Sequence, residues 1–144
     1  MTRANTFIIG SVAILALILS IPLEWMTLHN AKMNFPGLFS QSLVLTGFNG
    51  HITILAPVPF WALVLLGLVG AVVALLNGLS ISSLPRIVVL VPLLLSLLHV
   101  GVALMIPHFS DGEATLGIGG FVAFIGLALA LEVNRPQRDA QLGR

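Results

Sequence analysis

At 144 residues, with 58% hydrophobic and 8% charged residues and a mean hydropathy of +1.10, the chain is far more apolar than a soluble domain, about a quarter of which is charged. A net charge of +1 offers no cluster of Lys and Arg to displace counterions from phosphates, which excludes nucleic acid as a partner. The lack of any cysteine excludes disulfides, thiolate metal sites, cysteine catalysis and cysteine-linked lipids.

Four apolar runs approach the roughly 20 residues that cross about 30 Å of hydrocarbon at 1.5 Å per residue. They are Thr6 to Trp25, Pro57 to Asn77, Ile87 to Ile106 and Thr115 to Val133. Hydrocarbon supplies no water to satisfy backbone N–H and C=O groups, and a four-segment chain cannot close a barrel, so the spans are expected to be helical. The first run is longer than a signal-peptide core and no clean small-x-small cleavage site follows it, so it is read as retained. The expected fold is an all-α integral membrane protein, a four-transmembrane-helix bundle with a small extracytoplasmic β-hairpin or sheet between helices 1 and 2.

The connections differ in length. Residues 26–56 form the long outer loop, whereas GLSISSLPR (78–86) and PHFSDGEA (107–114) are short turns that place neighbouring helices side by side and antiparallel. Within the long loop, Asn49-Gly50 is a common signal for a type I′ hairpin turn, because both positions accept positive φ. It is flanked by LVLTGF (43–48) and HITIL (51–55), so a hairpin over residues 43–55 is expected, with Pro57 and Pro59 ending it and starting the next helix. A two-stranded hairpin is marginal alone, and Glu24 to Leu28 is the nearest candidate for a third strand.

With both termini cytoplasmic, Arg3, Arg86 and the tail residues Arg135, Arg138 and Arg144 lie inside and only Lys32 lies outside, a strong positive-inside bias. Trp25 and Trp61 then fall near the outer interface. Each span also carries small or polar residues at spacings of three and four: Ala13, Ala16 and Ser20; Gly67, Ala71, Ala74 and Gly78; Ser96, His99 and Ala103; Gly119, Ala123, Gly126 and Ala130. Such stripes are the usual contact faces of membrane helices, and they predict a closely packed bundle with little room for a channel. The tail, residues 134–144, is polar and broken by proline.

His99 is the one ionisable side chain well inside a span, roughly 4 Å outward of its helix centre at 1.5 Å per residue. A rigidly held neutral imidazole can be an axial ligand to haem or a chlorophyll-type pigment. The alternative is a histidine bonded to Ser96 or to a neighbouring helix carbonyl, and no second histidine stands at the same depth. His29, His51, His108, Glu24, Asp111 and Glu113 share the outer side but show no HxxxH, HxH or HExxH spacing, so they read as wet interfacial residues rather than a metal site. No GxSxG or comparable nucleophile motif is present.

Four helices with both ends inside, a long first outer loop holding a small sheet, a Trp just after the first span and a short second outer loop resemble the claudin-like tetraspan plan. The resemblance is one of topology. Trp25 stands in PLEWMTL without the family's Gly-Leu-Trp and paired-Cys signature, so no functional residue is carried over. The functional expectation is a non-catalytic accessory subunit of a larger assembly, of respiratory or photosynthetic type, in a bacterial inner membrane. Its partners would be other integral membrane subunits and the lipid bilayer, with Phe48, Asn49, Gly50, His51, Trp25 and Trp61 as partner-binding residues. A haem- or chlorophyll-binding subunit centred on His99 is the alternative, and a small transporter or lipid-binding tetraspan protein is the second.

Overall fold

The computed structural model describes residues 2–29, 43–53, 57–106 and 114–134. In chain order these form α1 (Arg3–Ser20), β1 (Glu24–Leu28), β2 (Leu43–Thr46), β3 (His51–Thr53), β4 (Pro57–Pro59), α2 (Phe60–Gly78), α3 (Arg86–Met105), β5 (Ala114–Leu116) and α4 (Ile118–Val133). Three helices, α1, α2 and α3, are long and apolar enough to cross a membrane; α4 is equally apolar but has 16 residues.

The helix ends differ from the apolar runs for local reasons. The first run continues to Trp25, but α1 stops at Ser20 because Pro22 can donate no N–H to a further turn, and Glu24 and Trp25 belong to β1. Pro57 and Pro59 lie in β4 rather than in the helix, which begins at Phe60. Thr115 and Leu116 lie in β5, so α4 opens at Ile118. The third run matches α3 to within one residue at each end, and it includes Pro92.

Within the core, α1 packs on α2 and α4, α3 packs on α2 and α4, and α2 also meets α4. The small residues face inward: Ala13, Ser20, Gly67, Ala71, Ala74, Ser96, Ala103, Gly119, Ala123, Gly126 and Ala130 are all buried, while His99 is only half-buried. Apolar association drives little in lipid, so close backbone approach matters more. A β-carbon added to Gly126 would stand 3.0 Å from the Ala13 carbonyl oxygen, and one added to Gly78 would stand 2.7 Å from Thr6 Cγ2. The latter contact puts the start of α1 beside the end of α2.

At the opposite end lie two small antiparallel sheets. The larger has the order β2-β1-β5, with a bulge between Glu24 and Met26, and the smaller pairs β3 with β4. Glu24 to Leu28 thus supplies a strand as expected, but it is the central one, and the third strand comes from the connection before α4. The expected hairpin is not formed. β2 pairs with β1 and β3 with β4, and neither Asn49 nor Gly50 has a positive φ. Ile54 and Leu55 of that hairpin, most of the long outer loop, residues 107–113 of the second outer turn and residues 135–144 of the tail lie outside the described residues.

Candidate functional site

Residues 47–50, expected at a hairpin tip, instead cap a helix. Four N–H groups at the start of any α-helix lack partners within it, and Pro59 at the cap of α2 offers no side-chain acceptor. Gly50 and Gly47 supply main-chain carbonyls instead: Phe60 N donates to Gly50 O and Trp61 N to Gly47 O, both at 3.0 Å. The turn is pressed against the end of α1, where a β-carbon on Gly47 would stand 2.5 Å from Ile21 O. A β-carbon on Gly50 would stand 2.5 Å from the Phe60 ring. The glycine at position 50 is therefore required by close approach and not by a left-handed turn.

Trp25 joins the sheet to the helices. Its ring stacks on Phe60 with centroids 4.7 Å apart and planes 17° apart, its Nε1 donates to Ser20 O at 2.7 Å, and Gly119 leaves room for its edge. At 2% exposure it presents no surface, and Gly50 is buried too. Both expected partner-binding residues are thus internal packing elements, because the apolar ring and the narrow turn fill the junction between sheet and core. Phe48, at 67% exposure, Asn49 and Trp61 remain on the surface. His51 opens β3 opposite Pro59.

The side chain of Asn49 does something its sequence context did not announce. Its Oδ1 accepts from Thr46 N at 2.6 Å and Thr46 Oγ1 at 3.1 Å, and its Nδ2 donates to Val44 O at 3.1 Å. The amide lies along the outer edge of β2 and takes up main-chain groups that point away from β1. Asn followed by a buried Gly reads equally well as a turn, which is why the spacing alone misleads.

His99 Nδ1 lies 2.7 Å from the Leu95 carbonyl oxygen of its own helix. A carbonyl only accepts, so Nδ1 carries the proton and, in the neutral ring, Nε2 carries the lone pair. Among the described residues no buried side-chain nitrogen or oxygen lacks a partner, and Nε2 has none there; it is therefore open at the surface of α3. Ser96, expected as a partner of His99, instead donates from Oγ to Leu63 O on α2 at 2.8 Å. On the sheet, Thr27 Oγ1 donates to the Glu24 carboxylate, and His29 Nε2 lies 3.2 Å from Thr115 Oγ1, tying β1 to β5. Among the described residues no three of His, Asp and Glu gather closely enough to hold a metal; His108, Asp111 and Glu113 lie outside them.

Compared with known protein families, with curated proteins and with solved structures, the chain matches none.

Proposed function

We propose that the chain is a non-catalytic, membrane-embedded subunit that packs against other integral membrane chains through the outer surface of its helices. The observation that carries this reading is His99. An imidazole Nε2 on an otherwise apolar helix surface, with no partner among the described residues, is costly in hydrocarbon and is relieved by a donor from a neighbouring molecule. Large apolar side chains also stand exposed on every helix, Leu15, Val69, Leu98 and Ile125 among them, as a lipid or subunit surface requires. Solubilised gently from native membranes, the protein is expected to migrate with other chains, and to lose them in a His99→Leu variant. Migration alone in both forms sinks the proposal.

A second reading rests on the same ring. The bond from Nδ1 to Leu95 O fixes ring orientation and leaves Nε2 as the available ligand, the arrangement by which an outer-shell carbonyl prepares a histidine for a metal. His99 would then be an axial ligand to a haem or chlorophyll-type pigment held between subunits. Visible absorbance of the purified protein that disappears in His99→Ala supports this reading; a colourless protein from native membranes eliminates it.

A further inference from the structure

We infer that one stripe of α3, from Val88 to His99, is the docking face for a transmembrane helix of a different chain, and that this helix carries hydrogen-bond donors. The inference rests on the subunit reading above and specifies its partner. In an α-helix the carbonyl of each residue accepts from the N–H four positions later. Pro92 lies inside α3 and has no N–H, so the Val88 carbonyl loses its donor. Among the described residues no group on another element donates to it. Val88 stands at 47% exposure, on the outer surface of the bundle.

The second acceptor is His99 Nε2, open because Nδ1 gives its proton to Leu95 O. His99 follows Val88 by eleven positions, close to three whole turns, so the two acceptors share one face roughly 16 Å apart at 1.5 Å per residue. Leu95, between them on that face, is exposed and apolar. The stripe supplies no donor of its own. The one hydroxyl between Val88 and His99 is that of Ser96, which faces α2 and is spent on Leu63 O.

Two acceptors and no donor on one face select what can cover it. Acyl chains carry no donor and leave both groups unpaired in hydrocarbon, where no water replaces the missing partner. A second copy meeting this face across a two-fold axis normal to the membrane sets each group against its own equivalent, acceptor against acceptor. The occupant that complements the stripe is therefore a membrane helix of another chain. Its side chains bring N–H or O–H groups to Val88 O and His99 Nε2, the polar contact by which helices associate where apolar surface alone gives no preference.

The probe is a photo-crosslinking residue, p-benzoylphenylalanine, placed at Leu95 on the stripe or at Leu15 on α1, both exposed. On irradiation of native membranes the Leu95 probe is expected to link one other chain, at a membrane span with donor side chains about three turns apart, and the Leu15 probe is not. Pro92→Ala returns an N–H to Val88 O and is expected to unfold no earlier than the unsubstituted chain, so its linked fraction reports pairing. By the usual strength of a hydrogen bond between membrane helices, Pro92→Ala and His99→Leu are each expected to lower that fraction about threefold, and together about tenfold. His99→Gln keeps an acceptor and is expected to keep the link, which loss of a metal ligand would not allow. A link to a second copy, a linked span without donors, equal linking from Leu15, or a fraction that neither Pro92→Ala nor His99→Leu lowers overturns the inference. A chain that co-migrates without linking at Leu95 overturns it while the subunit reading stands, and migration alone with no link from either probe overturns both.

Discussion

Ser80 is the single non-glycine residue with a positive φ among the described residues, at 62°. It follows α2, and two bonds around it, Ser80 N to Asn77 O at 3.0 Å and Ile81 N to Leu76 O at 2.9 Å, are the pair that closes a helix whose next residue turns left-handed. The Asn77 side chain then clamps the turn, accepting from Leu84 N at 3.2 Å and donating to Leu84 O at 3.0 Å. A side chain in the left-handed region costs about 1–2 kcal/mol. Ser80→Gly is expected to stabilise by about 0.5–1 kcal/mol once the added freedom of the unfolded glycine is subtracted. Asn77→Ala is expected to destabilise by about 1 kcal/mol. Thermal unfolding in detergent reads both, and a neutral or lower midpoint for Ser80→Gly removes the strain argument. Ser96 poses a parallel case inside the core. Ser96→Ala forfeits the bond to Leu63 O at about 0.6–1 kcal/mol, whereas Gly67→Ala sets a β-carbon 2.5 Å from Leu127 Cδ2 and is expected to cost about 1–3 kcal/mol by the same measurement.

Between the helices and the sheets, Trp25 is the joint. Trp25→Ala empties a buried ring site and is expected to cost about 3–5 kcal/mol. Trp25→Phe keeps an aromatic face for Phe60 but leaves Ser20 O without its donor, for about 1–3 kcal/mol. Limited proteolysis that attacks the β1 to β2 connection sooner in Trp25→Ala, with the helices still protected, is the expected pattern; simultaneous loss of both refutes a separable joint. Gly50→Val acts at the same joint, because its side chain meets the Phe60 ring, and it is expected to loosen the same segment. The helices were legible because hydrophobic length and small-residue spacing are local properties of a run, and Gly67, Ala71 and Ala74 lie buried as their spacing predicts. Strand partners were not, since the His29 to Thr115 contact that ties β1 to β5 joins residues 86 positions apart and nothing near Glu24 to Leu28 encodes that choice. Asn49-Gly50 misled for a related reason. The residue types suited to a type I′ turn also suit an edge-capping amide and a close approach to Phe60. For the candidate site, His99 was legible as the one ionisable side chain well inside an apolar run, but its bond to Leu95 and not to Ser96 depends on Leu63 lying opposite Ser96, which only the packing of α2 on α3 decides.

Taken whole, the molecule is polar in different ways at its two ends. Arg3 and Arg86 stand exposed at one end, beside the junction of Thr6, Gly78 and Val133, and the sheets with Trp25 and Phe60 close the other. At 1.5 Å per residue, α1, α2 and α3 run about 27–30 Å and α4 about 24 Å, so the three longer helices match one bilayer thickness. β5 and Gly117 lead into α4, and the Gly117 N to Trp25 O bond extends their pairing with the central strand β1. Cations near membrane ends favour the cytoplasmic side; Lys32, Arg135, Arg138 and Arg144 lie outside the described residues, but in chain order the three arginines follow α4 and extend the same asymmetry, with Lys32 alone against it. We therefore expect the sheet end to face out. The cysteine-free chain allows a direct measurement, with Phe48→Cys reporting the sheet end and Ser83→Cys the turn between α2 and α3, both at exposed positions. A membrane-impermeant maleimide applied to intact cells should label Phe48→Cys and leave Ser83→Cys unlabelled until the membrane is opened. The reverse pattern inverts the orientation, and labelling of both without disruption is incompatible with three spanning helices.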